Sequence, residues 1–149
     1  LQEYFPEDWM ERTARYGEEG VDLMELKELP LILPASSNRL RYPIDQLFRA
    51  NNVMPHISLE TGSHSLILQL GCQGDGVAIV NPLSMYEQMR MQGFLPPRCH
   101  SFLIRDLPKR AISLAYQRNI QLPLYAKRMV RAIVEEFHYY TDFLTQFTL

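Results

Sequence analysis

Two short runs without a single polar side chain constrain this chain more than any other feature. Leu29-Pro30-Leu31-Ile32-Leu33 and Val77-Ala78-Ile79-Val80 have nothing to turn toward water. A strand covered on both faces reads this way, and such strands belong to parallel sheets. Between them His56-Ile57-Ser58-Leu59-Glu60 alternates as a third strand. The segments that follow each run have helical spacing instead. Leu40, Ile44, Leu47 and Phe48 recur by three and four, and Pro43 is tolerable there only near a first turn, so that helix is expected to begin close to Asn38. Thr61-Gly62-Ser63 caps a helix through Leu66, Ile67 and Leu70, ended by Gly71 or Gly74. Asn81-Pro82 closes the last strand ahead of a helix over Ser84 to Met91. Residues 29–92 therefore read β-α-β-α-β-α, which predicts an α/β fold with a parallel sheet and helices on both faces.

The flanks differ in style. Pro6-Glu7-Asp8-Trp9 has the proline and acids of a first helical turn, and Gly17 and Gly20 are expected to stop that helix. Asp22 caps a short second helix over Val21 to Leu26. Beyond the alternating core, His100 to Ile104 and Ala111 to Tyr116 read as strands joined by Arg105 to Arg110. A long helix over Leu122 to Gln146 closes the chain, with a stripe of Ala126, Met129, Val130, Ile133, Val134, Phe137, Thr141 and Leu144. Tyr139, Tyr140 and Phe143 do not fit one stripe, which predicts burial on two sides.

Composition narrows the function classes. The 149 residues are about one domain's length, 46% hydrophobic and 21% charged, as in an ordinary globular protein. A net charge of -2 gives no overall attraction for nucleic-acid phosphates. Two cysteines, Cys72 and Cys99, make no disulfide framework and no Cys-x-x-Cys, so a reducing, cytoplasmic setting is expected. Cys72, between Gly71 and Gln73 with no basic neighbour, reads as a buried inert thiol. No apolar run approaches the roughly 18 residues needed to span a bilayer, and no signal peptide is visible. The first residue is Leu1 rather than Met, which leaves room for a longer parent chain.

These elements and their wording resemble the effector-binding domain of LysR-type transcriptional regulators. Leu29-Pro30-Leu31-Ile32-Leu33-Pro34 followed by Ser36 to Arg41 resembles the family's Pro-Leu-Ile-Leu strand with its Ser/Gly-rich loop and Arg-containing helix. Gly74-Asp75-Gly76-Val77-Ala78-Ile79-Val80-Asn81-Pro82 resembles its Gly-x-Gly-Val-Ala stretch, and Arg110 to Phe137 its closing strand, turn, proline and helix. The likeness covers about residues 22–137. It implies a periplasmic-binding-protein-like fold of type 2, in which two α/β subdomains joined by crossover strands hold a small effector between them. On that reading residues 1–28 are a helical lead-in, 29–104 the second subdomain, and 105–149 a returning strand and C-terminal helix of the first. The resemblance also implies a homo-oligomer that meets DNA only through an N-terminal winged helix-turn-helix upstream of this chain. A solute-binding protein of the same fold and a small α/β enzyme are the rival readings.

Ligands of open α/β sheets bind outside the carboxyl ends of the strands, where helix N-termini present unpaired N–H groups. The candidate effector residues are accordingly Ser36, Ser37, Asn38, Thr61, Gly62, Ser63, Asn81 and Pro82. Helix capping alone would also account for the hydroxyls among them. Arg39 and Arg41 could pair with a carboxylate effector or simply be solvated. The expected ligand is a small carboxylate or aromatic acid, with no cofactor. Catalysis and metal binding are not expected: Gly62-Ser63-His64 is no nucleophile elbow, His56, His64, His100 and His138 lack zinc spacing, and Glu135-Glu136-Phe137-His138 has no second copy.

Overall fold

Leu31 to Leu33 form the middle of a sheet because no polar atom there competes with the ladder. The computed structural model describes residues 4–92, 99–108, 113–117, 119 and 121–146. Strand β1 (Leu31–Pro34) is buried along its whole length and lies between β2 (Ile57–Thr61) and β3 (Val77–Ala78), both parallel to it. The order β2-β1-β3 agrees with the parallel sheet expected from the sequence. β3 is shorter than the apolar run that contains it, although Ile79 N–H still donates to Ile32 O at 3.1 Å.

The strands are separated by α2 (Arg41–Ala50), α3 (His64–Gln73) and α4 (Pro82–Gln92). Before them come α1 (Trp9–Glu19) and a 3-10 helix (Leu23–Leu26) whose first turn is capped by Asp22 accepting from Met24 N–H. α1 runs through Gly17 and stops at Gly20, which alone of the two takes a left-handed φ, 77°. Helix α2 starts at Arg41, three residues later than Asn38, because Asn38 Oδ1 accepts from Leu40 N–H and holds residues 38–40 in a turn. Pro43 then falls in the first turn, as its missing N–H requires. Gly74, not Gly71, ends α3 with a φ of 91°. A Cβ on Gly71 would meet the Ala78 Cβ at 2.5 Å, so Gly71 is there to let α3 lie close on β3.

One core cluster joins Tyr16, Val21, Leu23, Leu26, Leu31, Leu33, Ile44, Phe48 and Ile79, tying α1, the 3-10 helix and α2 to one sheet face. Ile32 alternates to the other side, where α3 packs on β1 and buries Ile67 and Leu68. Burial of each such side chain contributes about 1.5–3 kcal/mol against exposure.

The last third departs from expectation. Residues 100–104 make no strand: Ile104 forms a single parallel bridge to Val21, closed by Val21 N–H to Leu103 O and Arg105 N–H to Val21 O, both 2.8 Å. The run expected over Ala111 to Tyr116 is irregular and exposed at 113–117, and Ala111 and Ile112 lie outside the described residues. Strand propensity expresses itself only against a partner edge, and none faces these residues among those described. Helix α5 (Leu124–Gln146) forms as expected, packed chiefly on α4. Among the described residues it is covered on one side: Tyr140 and Phe143 rest edge-on against Tyr86, while Tyr139 stays 66% exposed.

Candidate functional site

Parallel pairing of β1 and β2 puts their following turns side by side. Ala35 N–H donates to Thr61 O at 2.9 Å, extending the ladder past the strand end. Ser36 N–H donates to Glu60 Oε1 at 2.8 Å, and Asn38 Nδ2 donates to His64 Nε2 at 3.0 Å. Asn38 Oδ1 already accepts from Leu40 N–H, so the amide must give its N–H₂ to the ring. The His64 proton then sits on Nδ1, which is buried and has no partner among the described residues. Of the eight candidate residues, Ser36, Asn38 and Thr61 are bonded across the two turns, and Ser37, Gly62 and Ser63 are their chain neighbours in those turns.

Part of their polarity is spent locally. Thr61 Oγ1 accepts from Ser63 N–H at 3.2 Å, and Ser63 Oγ caps α3 by accepting from Leu66 N–H at 3.3 Å. Ser36 and Ser37 are exposed, and their hydroxyls form no hydrogen bond among the described residues. Asn81 and Pro82 lie past β3, on the opposite side of β1. Pro82 opens α4, and Asn81 Oδ1 accepts from Leu83 N–H at 2.9 Å, so both residues serve their own helix. Hydrogen bonds stitch the first two turns together, and none among the described residues carries that stitching on to Asn81.

Beneath the paired turns lies an ion cluster that sequence reasoning missed. Arg41 is 6% exposed, neither solvated nor free for a ligand: its Nε donates to Asp45 Oδ1 at 2.6 Å, and its Nη1 to Glu60 Oε2 at 2.9 Å and Pro34 O at 3.0 Å. Burial by itself pulls the Arg41 pKa down, but the bonds to Asp45 and Glu60 outweigh it and hold the guanidinium above its ordinary value. In return, Arg41 and then the Ser36 amide hold the Glu60 carboxyl below the usual carboxylate range. The i,i+4 spacing of Arg41 and Asp45 was the one signal in the sequence; Glu60 reaches them only through strand pairing. Arg39, by contrast, is exposed, and with Tyr42, Gln46 and Asp106 it lines an open concavity of about 590 Å³ on the outer side of α2. None of the eight candidate residues lines that concavity.

The carboxyl ends of β1 and β2 thus carry two paired turns backed by the buried Arg41. The LysR substrate binding domain family matches residues 12–138, which takes in all three strands and most of α5. The chain belongs to that family. It is therefore the effector-sensing domain of a LysR-type regulator, with the periplasmic-binding-protein-like fold expected of it, and domains of this family serve regulators rather than enzymes. No curated protein and no solved structure matches the chain. Among the described residues no helix of this LysR domain is long and apolar enough to cross a membrane.

Proposed function

We propose that the effector binds on the surface made by Ser36, Ser37, Asn38, Thr61, Gly62 and Ser63, with Asn81 and Pro82 bounding it beyond β1. The observation that carries this is the stitching of two helix-leading turns at the carboxyl ends of adjacent parallel strands. Such an edge offers a ligand the exposed Ser36 and Ser37 hydroxyls and the first-turn amides of α3, and Gly62 lets it approach the backbone with nothing within 4 Å of its Cβ position. A small carboxylate or aromatic acid suits these donors, and Arg39 supplies exposed positive charge one residue beyond Asn38. Ligand binding shifts the population of regulator conformations by its preference for one of them.

The same reading assigns residues 29–104 to one effector subdomain, 1–28 to its lead-in, and 105–149 to the returning part of the other. It places the parent protein in the cytoplasm as a homo-oligomer that meets DNA through an upstream winged helix-turn-helix. The exposed Leu124, Tyr125 and Met129 of α5 support a further packing partner for that helix. A thermal-shift screen of small carboxylates, aromatic acids and their amides tests the site. A hit is expected to lose at least ten-fold in affinity in Ser36→Ala/Thr61→Ala. A ligand that stabilises wild type and variant alike binds elsewhere and ends the proposal.

A further inference from the structure

Cys72 and Cys99 are 27 positions apart in sequence, yet their Sγ atoms stand 2.6 Å from each other. That is inside ordinary non-bonded sulfur contact and within about 0.6 Å of the ~2.05 Å disulfide bond. Both thiols are free and only half-buried, so a small oxidant can reach them. They join the end of α3 to the segment that follows α4. Cys72 is in the last turn of α3, just before the Gly74 cap whose carbonyl accepts from the Tyr4 hydroxyl at 2.9 Å. Cys99 leads into the segment that crosses Val21 at Leu103 to Arg105.

We infer that Cys72 and Cys99 are a redox-active pair that closes to an intramolecular disulfide under a peroxide and reopens under a dithiol. In closing, each thiol gives up one proton and one electron and a sulfur–sulfur bond forms. The peroxide O–O bond breaks, and the oxygens take up those protons and electrons as two waters. Burial, and then the shared hydrogen bond with Cys99, push the Cys72 thiol up to about 12. At neutral pH it is therefore protonated, which keeps the reduced pair slow to oxidise and makes closure faster as pH rises. The bond ties the end of α3 to the returning segment and encloses β3 and α4 in one loop, so oxidation stiffens the part of the domain that leads to the Val21 crossing.

The experiment is peroxide titration of the purified chain, acid quench, alkylation of remaining thiols, trypsin digestion without reduction, and mass spectrometry. The expected product is Ala50–Arg90 joined to Cys99–Arg105, in protein that still sediments as the untreated sample does. The melting temperature should rise by roughly 5–10 °C, as closure of a loop this size implies, and fall back on dithiothreitol. Cys72→Ser and Cys99→Ser should each abolish the rise. Four outcomes overturn the inference: both thiols alkylated throughout, a sulfinic acid at either site without cross-link, a cross-link only between molecules, or a cross-link that lowers the melting temperature. The wild-type digest decides the matter even where a serine variant folds poorly.

Discussion

The sheet half of the molecule and helix α5 are both rich in apolar residues, yet they use them differently. Around β1 the aliphatic side chains are almost wholly hidden: Leu31, Leu33, Ile44 and Ile67 show no exposed surface. In α5 no described residue is fully buried, and Met129, at 61%, is largely open to water. α5 is held by a small contact set on α4: Tyr86 donates to Glu136 Oε1 at 2.8 Å, Arg90 pairs with the same carboxylate, and Tyr86 meets the Tyr140 and Phe143 rings. An apolar stripe is thus not a core in itself. Opposed surfaces on both sides of β1 make one, and α5 has a neighbour on one side among the described residues.

Substitution energies should break or sharpen this contrast first. Phe48→Ala, at a site 2% exposed between α2 and the sheet, should cost about 3–5 kcal/mol in urea unfolding. Met129→Ala on α5 should stay within about 0.5 kcal/mol of wild type. Equal losses at the two positions would show that α5 is as deeply packed as the sheet, contrary to its exposure. A middle effect belongs to the strand-end turns. Ser63→Ala removes the cap on Leu66 N–H and should cost about 1 kcal/mol, with Ser63→Asp recovering most of it.

Acid gives a subtler comparison, because each region has one carboxyl held low. Glu60 is lowered by its bond to Arg41 first and by the Ser36 amide second, and Glu136 by Arg90 and then Tyr86. A depressed carboxyl stabilises the fold above its unfolded value, about 4.3, and that contribution is lost as pH falls through the lower folded value. Glu60→Gln should therefore flatten the acid side of the stability curve. Glu136→Gln should chiefly raise amide exchange in α5 while the exchange of β1 stays as it was. A Glu136→Gln variant whose β1 amides open to the same extent would mean that the two regions unfold as one unit. The smallest effect expected is on Tyr139→Ala, an exposed ring on α5 whose loss should leave the melting temperature within about 1 °C.

Local patterns foretold the elements that a single segment can specify. The apolar runs at residues 31–33 and 77–80, the helical spacing of Leu40 to Phe48, and the caps at Asp22 and Ser63 were legible because each depends on neighbours a few residues away. The parallel arrangement followed, since strands separated by helices leave little other choice. Boundaries slipped where one side chain decided them. Asn38 turned its amide oxygen to Leu40 N–H and delayed α2, and Gly17 stayed helical because its φ is ordinary. The returning strands failed for a different reason: a strand is a pairing, and residues 113–117 have no partner edge among the described residues.

At the proposed site, residue types and turn positions pointed to Ser36 through Ser63 and to Asn81 and Pro82, because parallel strands end on one edge. Only the tertiary structure decided which polar groups remain available there. Arg41 turned inward to Asp45 and Glu60, Asn38 was spent on Leu40 and His64, and Asn81 on its own helix. The Cys72–Cys99 contact was equally out of reach, since no local pattern relates residues that far apart. Hydrophobic periodicity records which faces are buried, but it says nothing about which distant residue supplies the cover. Packing makes that choice, since a buried polar or ionisable group takes whichever partner the fold brings within bonding distance.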